Sequence, residues 1–494
     1  MAEISGFVAT GRRLGPAVSP PAVAVRQAGL LARYALLALA VRLVLLGSPL
    51  VHVDENFYLL VGERWAHGAL PFVDIWDRKP VGLFVLYRML ASLPGDGLLW
   101  VQWAGIAATA IGALIIRELA RSLAPDRGAA LAGAVYVMAM PAFSCAFGQA
   151  PVFYNPIIAF AMLRVIGERP AEIRALPWRG ALVTMALVGV ALQIKYSAVF
   201  EGSAIALMLL WRRAAAGLDR RTLLQGAALM AIVALAPTIA ALVGYALAGH
   251  AADFLDANFL SILHRQSDTA AAWARLGMQT LALGPFALAI CMGPWPRTIE
   301  AGLLRAWALA AVAGYLLFGT WFDHYVAPLL VPLCVLAAPA LHARRRIGAL
   351  LLGASAIGGV AVMAVQLHHH GTRAEFDHIC ARARTELRGG AFYLFDGDPA
   401  FYRCVGAPIP TRYAFPGHLD SWTEAKAIGT DPAQEVARIM LARPDVVLAP
   451  DALEPAAGNP MSRAVLADFL AHGYVRAAVL PLGTHRYAIF RRVP

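Results

Sequence analysis

The sequence is poor in charge: only 15% of its residues are Asp, Glu, Lys or Arg, against about a quarter in soluble domains. A single water-soluble globule of this length is excluded on that ground. Cysteine is scarce as well, with five in 494 residues, so no disulfide-stapled scaffold is present. Cys145, Cys291 and Cys334 fall in apolar blocks and read as small core residues. Cys380 and Cys404 both fall in the C-terminal part, where an oxidising compartment would let them pair. Internal repeats and low-complexity tracts are missing. No cleavable signal peptide is expected either, because the first 28 residues are polar and proline-bearing, and the first apolar block is long.

What the chain has instead is apolar sequence in blocks. Hydrophobic residues make up 59% of it. Stretches near the length of about twenty residues needed to cross a bilayer recur from Gly29 to Gln366 and then stop. About eleven spans are expected over residues 29–367. Long outer loops fall at 51–96 and 250–276. The formal net charge of +11 does not indicate a nucleic-acid partner, because the arginines collect at block ends. Arg12, Arg13, Arg26 and Arg33 precede the first block. Arg117, Arg121 and Arg127 follow the second. Arg169, Arg174 and Arg179 come next, then Arg212, Arg213, Arg220 and Arg221, then Arg297 and Arg305, and finally Arg344, Arg345 and Arg346. Every second connection is arginine-rich, which places those connections in the cytoplasm. The reading is a bacterial inner-membrane protein with a cytoplasmic N-terminal segment, 1–28. An odd span count puts residues 368–494 in the periplasm.

That last part has soluble composition and reads as a small α/β domain. Strands are predicted at 391–395, 446–448 and 486–490, and helices at 432–442 and 461–471. Asp431 is the N-cap of the first helix, with Pro432 in its first turn. His368, His369 and His370 read as a solvated linker.

The first outer loop stands apart. It reads HVDENFYLLVGERWAHGALPFVDIWDRKPVGLFVLY from His52 to Tyr87. Asp54 and Glu55 follow the first span at once, where a carboxylate carries part of the cost of leaving water. Phe57, Val61 and Trp65 recur at helical spacing opposite Asn56, Glu63 and His67, which predicts an amphipathic helix lying in the interface. Asp74, Asp77, Arg78 and Lys79 then crowd together before a proline. A lysine inside apolar sequence, Lys195 in LQIKYSAVF, is costly unless it snorkels or works. Arg42 inside the first span snorkels, pairs with an acid in the bundle, or faces a site.

These loop motifs resemble the GT-C membrane glycosyltransferases, among them the aminoarabinose transferase of lipid A, protein O-mannosyltransferases and lipopolysaccharide-core galacturonosyltransferases. The resemblance rests on Asp54-Glu55, on Tyr58, on Gly68-Ala69-Leu70-Pro71-Phe72-Val73-Asp74, on Lys79-Pro80 and on the overall plan of spans plus tail. No motif in the tail contributes. The resemblance implies an inverting transferase that moves a sugar from a polyprenyl-phosphate carrier to an envelope acceptor: a lipid, lipopolysaccharide, another glycan or a protein. The acceptor hydroxyl must lose a proton, so a carboxylate is needed beside it. The leaving phosphate gains negative charge, so cations are needed there. Asp54 is the expected base, with Glu55 orienting either it or the acceptor. Lys79 and Lys195, with Arg42, are the expected phosphate ligands. His324 and Tyr325, in GTWFDHYVAPLLVP, either touch the carrier phosphate or sugar, or serve as a span cap and aromatic belt. Tyr58, Asp74, Asp77, Asn155 and His264 are the expected substrate contacts. In the second long loop Asn258 and Arg265 share a helical stretch with His264.

One departure bears on metal use. Relatives often carry an acid in the short outer turn, whereas GQAPVFYNPI offers only Gln149 and Asn155. No cofactor is assigned; use of a divalent metal stays open, without support from an acid in that turn, and a two-carboxylate site is disfavoured. The competing reading, a lipid or solute transporter, would show broken spans at matching places in two halves, and the sequence has none.

Overall fold

A computed structural model describes residues 20–454 and 458–494. Residues 1–19, with Arg12 and Arg13, lie outside the described residues, and a helix is already under way at Pro20. The helices of the first part are α1 Pro20–Arg42, α2 Val53–Ala66, α3 Val81–Ala91, α4 Gly97–Ala120, α5 Asp126–Ala139, α6 Ala150–Gly167 and α7 Arg179–Leu192. They continue with α8 Ala198–Ala215, α9 Arg220–Leu247, α10 Thr269–Met292, α11 Ile299–Leu317, α12 Ala327–Ala343 and α13 Arg345–His370.

Among the described residues, 7 of these helices are long and apolar enough to cross a bilayer: α1, α4, α6, α9, α10, α11 and α13. The chain is a multi-pass membrane protein. The other four expected spans fall on α5, α7, α8 and α12. Three of these have 14, 14 and 17 residues, and α8 carries Glu201, Arg212 and Arg213. A total of eleven therefore requires the short helices to cross as well. The outward faces fit lipid: Leu224, Ile232, Ile239 and Leu247 of α9 and Leu281 of α10 are all exposed, a surface that water would not tolerate over such an area. Cys291 lies exposed on α10, against the expectation of a core position, because that stretch faces outward. Cys145 and Cys334 are buried.

The tail holds α14 Arg373–Glu386, β1 Phe392–Leu394, α15 Pro432–Leu441, β2 Val446–Pro450, α16 Pro460–Gly473, β3 Tyr474–Leu482 and β4 His485–Arg492. Its sheet has the order β1-β2-β4-β3, with β1 and β2 parallel and the other pairs antiparallel. Asp431 caps α15 by accepting from Ala433 N at 2.8 Å. The sulfurs of Cys380 and Cys404 are bonded, their Cα atoms 5.9 Å apart. Two elements were not anticipated. α14 is rich in charge, yet Phe376, Ile379, Cys380 and Ala383 form a buried stripe along it. β3 contains Pro481 and lacks a clean in-out alternation.

The histidine run is exposed to solvent, but it is helical and no linker. It forms the last turn of α13, where His370 Nδ1 meets Leu50 O at 3.0 Å and His369 Nδ1 lies 3.1 Å from Thr484 Oγ1. Gly371 then turns the chain at φ 92; a Cβ there would come within 2.6 Å of Gly483 N.

The tail is clamped onto the first outer loop. Asn56 Nδ2 donates to Asp398 Oδ1 at 2.8 Å, Arg403 pairs with Glu63 at 2.8 Å, and Trp76 N donates to Arg412 O at 2.8 Å. This corrects the reading of α2 as an interfacial amphipathic helix. Every residue from Glu55 to Gly62 is buried, because the helical bundle covers one side of α2 and the tail covers the other.

Candidate active site

The first outer loop folds so as to aim four charged residues inward, Asp54, Asp77, Arg78 and Lys79. His52 caps α2, its Nδ1 accepting from Asp54 N at 3.2 Å. Asp54 thus stands in the first helical turn, where free N–H groups favour a carboxylate. After α2 the Gly-x-x-Pro-Phe-x-Asp stretch makes a tight turn. Phe72 takes a left-handed conformation, φ 69, which costs a bulky residue energy unless packing compels it. Its ring is wholly buried against Phe84, Tyr245 and Phe254, at 5.9, 5.3 and 5.6 Å. Asp74 Oδ2 accepts from Leu70 N at 2.7 Å and closes the turn. The chain then brings Asp77, Arg78 and Lys79 to the interior. Gly82 allows the next contact: a Cβ there would sit 2.5 Å from Gln193 Cβ, and Leu83 N donates to Gln193 O at 2.9 Å. The Lys79 segment is thereby held against the segment that bears Lys195.

Between bundle and tail lies a cavity of about 960 Å³. Its membrane-side wall carries His52, Asp54, Asp77, Lys79, Lys195, Asp323, His324 and Tyr325. Lys79 Nζ stands 5.4 Å from the centre of the Tyr58 ring, and Lys195 Nζ 4.1 Å from that of Tyr325. Asp54 Oδ2 accepts from Gln149 Nε2 at 3.3 Å. The His52 and His324 rings meet edge to face at 5.9 Å, and one donor atom from each of His52, Asp54 and His324 lies within 4.8 Å of the others.

Charge and burial set the protonation of this wall. Burial works against the Asp54 carboxylate, but the Lys79 ammonium, with the Gln149 amide donating to it, holds the carboxyl well below the usual range. Asp54 is therefore ionised. Its neighbour behaves in the opposite way: burial, with the Asp54 charge adding to it, pushes Glu55 up to about 8, so Glu55 is protonated at neutral pH. Two adjacent carboxyls pushed apart in this manner divide an acceptor from a donor of protons. Burial raises Asp77, with Lys79 opposing. Burial lowers His52, and burial with the Lys195 charge lowers His324; both are neutral imidazoles.

The roof comes from the tail and the second outer loop. Glu424 accepts from both terminal nitrogens of Arg78, at 3.1 and 2.5 Å, and pairs with Arg265 at 2.7 Å. Burial opposes ionisation, yet those two guanidiniums hold Glu424 at about 2. Gln266 N donates to Thr423 O at 3.0 Å. Arg265 and Arg275 both lie over the Phe322 ring, at 5.3 and 4.7 Å.

No family model matches the sequence, and no curated protein matches it significantly. The fold does have solved counterparts. The structure of ArnT from Cupriavidus metallidurans bound to undecaprenyl phosphate superposes with a TM-score of 0.63 at 15% identity, over 93% of this chain and 98% of that one. AglB, the oligosaccharyltransferase of Archaeoglobus fulgidus, in complex with an inhibitory peptide and a dolichol-phosphate, gives 0.52 at 12% identity, over 94% of this chain and 74% of its own. The chain has the GT-C fold.

On this GT-C frame the expected site residues separate into two groups. Asp54, Asp77, Lys79, Lys195, His324 and Tyr325 share the cavity wall. The others do not line it. Glu55 and Tyr58 are buried behind Asp54 and Lys79. Arg42 is buried in the bundle, donating to the carbonyls of Ala146, Ala38 and Val137 at 2.5, 3.3 and 3.3 Å. Asn155 is buried too, donating to Tyr136 Oη at 3.2 Å and Ala327 O at 3.0 Å. Asp74 holds its turn and borders a separate surface recess with Arg412 and Arg438. His264 is exposed at the end of a short turn, whereas Asn258 and Arg265 on the same stretch do reach the cavity. Sequence reasoning passed over His52, His418 and Glu424. His52 looked like the start of a loop, and the other two lie in a tail with no motif.

Proposed function

We propose that this chain is an inverting membrane glycosyltransferase that moves a sugar from a polyprenyl-phosphate donor to an envelope acceptor. The observation that carries the reading is one cavity in which an ionised Asp54 faces Lys79, with Lys195 on the same wall, beneath a roof supplied by the tail. The GT-C fold, and the undecaprenyl phosphate and dolichol-phosphate bound by ArnT and AglB, support the same carrier class. In the proposed arrangement the N-terminus is cytoplasmic, and residues 368–494 stand in the periplasm of a bacterial inner membrane, covering the acceptor side.

The acceptor oxygen attacks the anomeric carbon, the bond from that carbon to the phosphate oxygen breaks, and the acceptor proton passes to Asp54 Oδ. The departing polyprenyl phosphate takes the electron pair, and Lys79 and Lys195 meet the added charge. Lys79 by itself depresses the basicity of Asp54. A donor phosphate beside Lys79 offsets that cationic field and raises the proton affinity of Asp54 at the moment a base is needed. Glu55, protonated and buried, supports the geometry of the first turn of α2 and leaves the negative charge on Asp54 alone. His52, Asp54 and His324 fit a divalent cation in kind, two neutral imidazoles and a carboxylate; when bound, it would supply positive charge next to the donor phosphate.

The test is transfer by the purified chain in proteoliposomes, supplied with undecaprenyl phosphates carrying a hexose, a hexuronic acid or an aminopentose, and with envelope lipid extract as acceptor. A sugar-modified acceptor and free undecaprenyl phosphate are expected. Flip of the donor across the bilayer with no sugar released would favour the transporter reading instead.

A further inference from the structure

The tail places one side chain in the cavity that the chemistry above does not use. His418 belongs to a short helical segment, Gly417–Asp420. Its side chain is 4% exposed and lines the cavity. Its Nδ1 is buried without a hydrogen-bond partner, and no donor or acceptor among the described residues bonds to its ring. A buried polar ring is normally satisfied, and each exception calls for a reason. The surroundings give one. The ring sits among aromatic groups: Trp76 at 4.7 Å, Phe415 at 5.1 Å and Phe57 at 6.1 Å, each approaching edge-on or tilted. Phe57 and Phe415, themselves 5.3 Å apart, line the cavity with it. Phe57 is one helical turn from Asp54 on α2.

We propose that His418, with Phe57 and Phe415, forms a saccharide subsite contributed by the tail, in which the imidazole hydrogen-bonds a ring hydroxyl and the aromatic rings take the C–H face of the sugar. This deepens the transferase reading and rests on it. A sugar ring offers these two surfaces at once, a hydroxyl edge and an apolar face. A neutral imidazole offers one donor and one acceptor, which matches the dual character of a hydroxyl. Burial keeps the ring neutral, with the nearby Arg78, Lys79 and Arg265 charges adding to it and Glu424 opposing, so both functions persist at any physiological pH. A carboxylate or phosphate would find no charge on His418, and an alkyl chain would leave its nitrogens unpartnered. The saccharide is either the sugar being transferred or a sugar of the acceptor. The chemistry is shared, and the two sources are separable by experiment.

The test uses the full chain in lipid nanodiscs. Binding is measured for bare undecaprenyl phosphate and for undecaprenyl phosphate carrying each sugar of the panel above, and transfer is followed against a lipopolysaccharide-core oligosaccharide acceptor. His418→Phe preserves the aromatic packing and removes both nitrogens; His418→Gln returns an amide donor and acceptor. With a donor-sugar subsite, His418→Phe leaves the affinity for bare undecaprenyl phosphate within about twofold and reduces the preference for the sugar-bearing form roughly tenfold, the loss of one good hydrogen bond. With an acceptor-sugar subsite, the donor preference stays and the acceptor KM rises by a similar factor at unchanged kcat. In either case His418→Gln recovers part of the loss. If His418→Phe melts at the wild-type temperature and moves neither quantity, the subsite is refuted while the transferase reading stands. If the wild-type chain binds no polyprenyl phosphate at all, both fall together.

Discussion

Glu424 ties three separate segments together, and its removal has a calculable consequence. The carboxylate belongs to the tail, Arg78 to the first outer loop and Arg265 to the second. Its side chain is 8% exposed, so solvent screens the interaction little. The folded carboxyl sits at about 2 against an ordinary 4.5. A depressed folded pKa contributes stability that is fully present above pH 4.5 and is lost as pH falls toward 2. A shift of that size corresponds to roughly 3 kcal/mol. Removing one partner of a buried ion pair costs about 3–5 kcal/mol by mutational experience, which agrees. Glu424→Gln keeps the shape and leaves two guanidiniums facing each other without an acid. The expected cost falls on closure of the roof, not on the bundle. Hydrogen exchange on the reconstituted protein should show residues 258–268 and 415–424 opening about a hundredfold more often, with the bundle helices unchanged. Adding Arg78→Met to that variant should cost little more, because the partner it would lose is already gone. If Glu424→Gln alters exchange in the roof by less than threefold, the three-way clamp is refuted.

Replacing Lys79 with Ala removes the cation nearest the proposed phosphate, and bare undecaprenyl phosphate should bind roughly tenfold to a hundredfold more weakly, read by titration in nanodiscs. Glu55→Gln should retain activity within about threefold at pH 7, because the native group is already protonated and an amide has the same shape. The same variant has a pH signature. A carboxyl raised from 4.5 to about 8 makes the native state hold an extra proton between those values, so wild-type stability falls as pH rises through that window. In Glu55→Gln that decline should be absent from melting curves taken between pH 5 and pH 8.5.

Much of the site was legible because it breaks local rules. Asp54, Lys79 and Lys195 stand out as charge where the chain meets a membrane, and that anomaly needs no structure to be seen. Gln149 drew notice only as an amide where relatives often carry an acid, and its contact with Asp54 is a finding of the structure. Other residues broke the same rule for structural reasons. Arg42 is charged inside a span because it bonds carbonyls of its own helix, of α5 and of the turn before α6, and Asp74 is acidic because a turn needs an acceptor. Sequence cannot separate these cases, since both look like costly polar groups. The helix from Val53 to Ala66 was misjudged in its surroundings: its polar face was assigned to solvent, but Asn56 and Glu63 meet Asp398 and Arg403 of the tail. Those partners are 342 and 340 residues away, and no local periodicity records them. The same holds for Glu424 and Arg78.

The central claim, that Asp54 takes the acceptor proton in sugar transfer from a polyprenyl-phosphate donor, is tested most directly by mass spectrometry of acceptor lipids after single-turnover incubation of wild type and Asp54→Asn with a sugar-bearing undecaprenyl phosphate. The account predicts that Asp54→Asn binds the donor at least as well as wild type, since a charge opposing the phosphate is gone, while transfer falls by about 10²–10⁴. Transfer by Asp54→Asn at the wild-type rate would contradict it.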